Sequence, residues 1–203
     1  QVVAWRRDVH EHPELSNREF RTAKLVAQEL ERLGLVVRTE VAHTGVVALL
    51  EGARPEPVVA LRADMDALPV TEETRLPFAS RVRTEYLGRE VGVMHACGHD
   101  AHVAILLGVA RVLASLREEL PGSVLFVFQP AEEGAPAGEE GGARLMVQEG
   151  VFESPRPGAV FGLHVVPQLE TGLIGFRARG AMASSDRLHV ALHRRQTHAA
   201  YPW

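Results

Sequence analysis

The chain has 203 residues, 46% of them hydrophobic and 24% charged, with a formal net charge of −4. This is the profile of a folded globular protein, and the lack of a Lys/Arg excess removes the electrostatic case for a nucleic-acid partner. No apolar run approaches the roughly 20 residues needed to span a bilayer. A single cysteine, Cys97, excludes an intramolecular disulfide and agrees with a reducing, cytoplasmic setting. Residues 1–7 carry neither the charged start nor the apolar stretch of a secretory signal, and no initiating Met, so translation is expected to begin upstream. There are ten histidines, and several stand beside carboxylates or the cysteine.

In chain order, Ser16-Asn17-Arg18-Glu19 reads as a capping box, with Ser16 as N-cap and Glu19 reaching back to it. The helix behind it places Phe20, Ala23, Ala27 and Leu30 on one face and should end near Gly34. Strands are expected at 35–40 and 46–50. Residues 58–61 form a compact apolar run suited to a strand buried on both faces. Residues 101–116 are apolar nearly all round, as in a buried helix, with Asp100 near its start. Another buried strand covers 124–128 and stops at Pro130. A helix at 144–149 ends at Gly150, and strands at 159–163 and 173–176 complete the set. Strands alternate with helices, which argues for an α/β domain around a buried sheet. Past Gly180 the pattern changes to the alternation of a half-exposed strand at 185–194, so a domain boundary is expected near Arg179.

Four polar clusters carry the chemistry. Met94-His95-Ala96-Cys97-Gly98-His99-Asp100-Ala101-His102 offers a thiol and imidazoles, which suit borderline-soft divalent metals. Gly98 lets the backbone bend between Cys97 and His99, and Asp100 could orient a ligating histidine. Gln129-Pro130-Ala131-Glu132-Glu133 places two repelling carboxylates at a strand end. A metal would relieve that repulsion, with one glutamate as ligand and the other taking a proton from water. His164 ends the apolar strand 159–163, and Asp64 and Asp66 follow strand 58–61. Each cluster also has a bland reading: a loop with a buried thiol, a solvated acidic loop, a satisfied core histidine and a surface turn, of which the metal reading outweighs only the first. Open α/β sheets gather ligands beyond the carboxyl ends of their strands, so three such ends could share one site.

Together these segments resemble one family: the zinc-peptidase-like amidohydrolases, which include hippurate hydrolases, N-acyl-amino-acid amidohydrolases, aminoacylases and auxin-conjugate hydrolases. The resemblance runs in order through His12-Pro13-Glu14-Leu15, Thr44-Gly45-Val46-Val47, Arg62 with the stretch to Pro69, the Met94 cluster, Phe128 with its glutamates, Phe161 with His164, and Thr197-His198-Ala199-Ala200-Tyr201-Pro202. It implies a zinc-peptidase-like sheet flanked by helices over 1–179, and over 180–203 the start of an inserted α+β dimerisation (lid) domain. It implies Cys97, His99, Glu133 and His164 as ligands of two divalent ions, zinc or manganese, with cobalt or nickel as alternatives. Glu132 matches the general base, and Asp66 an orienting position beside the metals. His198 matches a histidine that reaches the substrate carbonyl. The implied substrate is a small N-acyl amino acid or related amide, without nucleic acid or membrane, in a homodimer or homotetramer.

Two departures from the family stand out. Members run to roughly twice this length, so the chain is expected to lack a last histidine ligand and to be inactive by itself. The approach to His198 is Arg194-Arg195-Gln196 where the family has glycines, and Trp203 follows Pro202 where it has a histidine. A truncated, non-catalytic remnant with weak or no metal binding is therefore the alternative to an enzyme. Cys97 as a covalent nucleophile is a third reading, which would need a dedicated base and oxyanion hole.

Overall fold

A computed structural model describes residues 1–179. Its sheet is built on the two apolar runs seen in the sequence. β1 (Val36–Val41), β2 (Gly45–Leu50), β3 (Val58–Asp64), β6 (Ser123–Gln129) and β7 (Ala159–Gly162) form five strands in the order β1-β2-β6-β3-β7. β3 runs parallel to both β6 and β7, whereas β1 and β2 pair antiparallel on the other side. The register sets Asp64 beside Gln129 and Arg62 beside Gly162, so three carboxyl ends open on one edge. A separate hairpin, β4 (Arg83–Tyr86) with β5 (Arg89–Gly92), projects between β3 and the next helix.

Alternation along β6 assigns its side chains to two cores. Phe126 and Phe128 enter one with Trp5, Val9, Val26, Leu30 and Leu107, supplied by helices α1 (Val2–Glu11), α2 (Phe20–Arg32) and α3 (His99–Ser115). Leu125 and Val127 enter the other with Val47, Val58, Ala60 and Met146 of α4 (Gly142–Gln148). Fully burying each such side chain contributes about 1.5–3 kcal/mol. The expected α/β sheet flanked by helices is thus the architecture found. None of the helices among the described residues is long and apolar enough to cross a membrane.

Three expectations are corrected. Ser16 and Glu19 do not form a capping box: the N-cap of α2 is Glu19, with no side-chain cap bond. Both side chains bond elsewhere, as described below. Phe20 is 64% exposed, and the buried face of α2 is Thr22, Val26, Ala27 and Leu30. No strand forms at 173–176, where Leu173, Ile174 and Phe176 are exposed. An apolar run becomes a strand only when a partner takes its backbone groups, and none among the described residues does. The chain divides into a unit Gln1–Val165 and a second from Val166 onward; the site belongs to the first. The expected strand at 185–194, the inserted domain at 180–203 and His198 lie outside the described residues.

Candidate metal centre

His99 is the hub. It opens α3 behind Gly98, which takes a left-handed φ of 87°. A Cβ at Gly98 would also lie 2.3 Å from Val165 Cγ2, so only glycine fits this crossing. His99 is fully buried. Its Nδ1 donates to the Asp66 backbone carbonyl at 2.8 Å, and because a carbonyl only accepts, that nitrogen carries the proton. The lone pair of the neutral ring then sits on Nε2, which is buried with no hydrogen-bond partner. Around Nε2 stand Asp64 Oδ2 at 3.6 Å, Glu132 Oε2 at 3.8 Å and Glu133 Oε1 at 3.9 Å. A buried lone pair ringed by carboxylates is costly unless a cation joins it. Burial opposes protonation of His99, but Asp66, Asp64 and Glu132 outweigh it and raise its pKa. The same carboxylate field favours a metal cation at Nε2.

Cys97 and His164 complete the other side, with Sγ 3.4 Å from His164 Nε2. His164 Nδ1 donates to the Val165 carbonyl at 2.7 Å, so His164 also turns its Nε2 lone pair inward. Burial, with the negative charge of Glu133, pushes the Cys97 thiol up to about 12. Ligand atoms of Cys97, His99 and His164 lie within 4.8 Å of one another, as do those of His99, Glu132 and Glu133. Glu133 is raised by burial and by Glu132 and Asp66, against the pull of His99. One thiol, two imidazole lone pairs and two carboxylates are a donor set that fits divalent ions of the zinc type.

Asp66 is committed to holding this group. Its Oδ2 accepts from Ser16 Oγ at 2.7 Å and from the Glu133 backbone N–H at 2.9 Å, and its Oδ1 lies 3.3 Å from His99 Nδ1. Burial raises the Asp66 pKa, but these hydrogen bonds prevail and leave it lowered. Asp100, expected beside a ligating histidine, faces away from the cluster. It accepts from Arg6 at 2.7 Å and His10 Nδ1 at 2.8 Å. The reason is helical geometry: at 3.6 residues per turn, neighbouring side chains point about 100° apart.

His102 and Asp64 stand within the clusters read from sequence but were given no role there. His102 lies three residues after His99, on the same helix face, a spacing that could have drawn notice. Its Nδ1 donates to Asp64 Oδ1 at 2.6 Å, and its Nε2 accepts the Val165 backbone N–H at 2.9 Å. With both nitrogens engaged, His102 ties the segment carrying His164 to α3. Burial would raise Asp64, but His102 and Arg62 hold it at about 2.

The chain belongs to the peptidase family M20/M25/M40, whose model matches residues 60–203. Among similar curated proteins are N-acetylcysteine deacetylase of Bacillus subtilis, 42% identical over all of this chain and 50% of the relative, and an N-acyl-L-amino acid amidohydrolase of Geobacillus stearothermophilus, 43% identical over 99% and 50%. The chain therefore spans about half the length of the curated relatives it matches. A solved Bacillus subtilis protein, described as a dinuclear metal binding peptidase from the M20 family, superposes with a TM-score of 0.71 at 44% identity, covering 83% of this chain and 43% of its own.

Proposed function

We propose that the protein hydrolyses the amide bond of N-acyl amino acids, with Cys97, His99, Glu133 and His164 holding two divalent ions, zinc or manganese, and Glu132 acting as general base. The observation that carries this reading is the buried, unpartnered Nε2 of His99 among three carboxylates. The relatives named for N-acyl substrates and the dinuclear neighbour support it. When bound, the ions would acidify a water toward neutral pH and polarise the substrate carbonyl. Glu132, with its side chain 41% accessible, can meet that water while standing 3.8 Å from His99. It takes the proton as the water oxygen attacks the carbonyl carbon, and returns it to the amine as the C–N bond breaks. Asp66 fixes the His99 tautomer so that Nε2 stays a donor of electrons. His198 is proposed, on the family resemblance, to approach the carbonyl.

The test is to load the chain with Zn²⁺ or Mn²⁺, measure bound metal with and without chelator, and repeat with His99→Ala. Chelator-reversible uptake that His99→Ala abolishes is expected. In the whole protein, release of amino acid from N-acetyl and N-benzoyl substrates should be lost with the metal. A chain that takes up no metal is the non-catalytic remnant. Activity stopped by thiol alkylation but untouched by chelator would assign Cys97 as the nucleophile.

A further inference from the structure

We propose that Glu19 is a positioning residue for the metal centre, latching the left-handed Ala131 and so setting the aim of Glu132 and Glu133. The proposal rests on the reading of those two glutamates as base and ligand.

After β6 the chain turns sharply at Ala131, whose φ is 49°. A residue with a Cβ disfavours that conformation and keeps it only where its surroundings enforce it. The enforcing group is Glu19. Its Oε1 accepts the Ala131 N–H at 2.9 Å, and its Oε2 accepts from Thr44 Oγ1. Glu19 is 0% exposed. Buried carboxylates are ordinarily paired with a cation or a metal. This one bonds a hydroxyl and the backbone amide directly before the Glu132-Glu133 pair. Burial raises its pKa, and those two hydrogen bonds oppose the rise.

The neighbours of Glu19 serve the same loop. Ser16 donates to Asp66, and that carboxylate receives the Glu133 N–H. Asn17 Nδ2 donates to the Glu140 carbonyl at 3.0 Å, and Arg18 binds Glu139. The loop closes tightly: a Cβ at Gly142 would lie 2.8 Å from the Ala131 carbonyl oxygen, and one at Gly141 2.8 Å from Asn17 Oδ1. Asn17, Arg18 and Glu19 thus grip both ends of the acidic loop, Ser16 acts on it through Asp66, and Glu19 holds the strained end nearest the site. A ligand or base displaced by an ångström loses much of its effect.

The experiment compares the purified chain with Glu19→Ala, Glu19→Gln and Thr44→Val. Two readouts are taken: Zn²⁺ affinity by competition with a chromophoric chelator, and hydrogen exchange of the Ala131 and Glu133 amides without metal. Glu19→Ala should speed exchange at both amides and weaken zinc about 10-fold or more. Glu19→Gln should stay close to wild type, since its amide oxygen still accepts from Ala131 and its NH₂ can donate to Thr44. Thr44→Val should lower thermal stability yet leave zinc affinity and Ala131 protection intact, because the latch itself survives. Should Glu19→Ala not fold, Glu19→Asp replaces it, its carboxylate drawn back by one methylene. Wild-type zinc affinity in Glu19→Ala, or equal zinc loss in Thr44→Val, would overturn the proposal. A wild-type chain with no zinc affinity sinks the metal-centre reading instead, and the exchange data then decide the latch separately.

Discussion

Two buried histidines flank the first turn of α3 and differ in one respect. His10 uses both ring nitrogens, Nδ1 with Asp100 at 2.8 Å and Nε2 with Glu72 at 3.2 Å, and Arg6 joins Asp100 at 2.7 Å. His99 uses only Nδ1, while three carboxylates face its idle Nε2. Both sites are buried, charged and rich in carboxylate, so burial of charge does not distinguish them. The second ring nitrogen does. His10 spends both nitrogens inside the chain and ties α1 to α3, with Asp100 Oδ1 the atom its network leaves unpartnered, whereas a ring that leaves an electron pair unspent among carboxylates is shaped for something outside the chain. His95 is unpartnered too, but it belongs to none of the candidate ligand groups among the described residues. Both its nitrogens lack partners, and burial pushes it down to about 4, so it stays neutral within the core.

The comparison is sharpened most by Glu132→Gln. Gln keeps the shape beside His99 but cannot accept a proton, so turnover in the whole protein should fall ~10²–10⁴-fold while bound metal is retained. Near-normal turnover with full metal content would move the base elsewhere. A smaller effect is expected of His102→Gln. His102 touches no open position, yet it fixes Val165 beside His164 through one nitrogen and Asp64 through the other. Loss of such a supporting contact should weaken zinc ~10–100-fold, read by chelator competition. Unchanged affinity would leave His102 as a packing residue only.

The sequence carried the sheet better than its surroundings. Residues 58–61 and 124–128 are apolar on both faces because β3 and β6 are covered on both sides. α1 went unread because it buries only Trp5, Val9 and His10 and has no side-chain cap. The β4–β5 hairpin turns through Leu87 and Gly88, both with positive φ, and Leu is not a residue that announces such a turn. At the site, residue chemistry drew attention to Cys97, His99, Glu132, Glu133 and His164, the last three at strand ends, and the family resemblance gave them their roles. Asp64 and Asp66 were indistinguishable by spacing, since their roles depend on what faces them across the sheet. Ser16 and Glu19 misled for a related reason: the pattern of a capping box is the same whether its side chains turn to their own helix or to a distant loop.

The finest test concerns the His10 network. His10 is held above its ordinary value by its hydrogen bond to Asp100, against the cost of burial, with Glu72 adding to the effect. Asp100 and Glu72 are held below theirs, chiefly against burial, by partners that include His10. Arg6 shares the Asp100 carboxylate, and the Phe78 ring stands edge-on to His10 at 5.7 Å. Because the folded pKa of His10 is raised, the folded chain binds more protons than the unfolded one between the unfolded value, about 6.5, and that raised value. Stability from the His10 charge is therefore complete below about 6.5 and lost as pH rises through the folded value. The carboxylates behave oppositely, contributing above about 4.5 and failing as pH falls through their lowered values. The network should be strongest between those limits. His10→Gln keeps one of the two hydrogen bonds, so its cost there should be on the order of 1 kcal/mol. In urea melts at pH 5.5, 7 and 9, the gap to wild type should be widest at pH 5.5 and narrowest at pH 9. A gap that stays flat across the series would mean that His10 acts as a neutral hydrogen-bonding ring, and the contrast with His99 would then rest on geometry without charge.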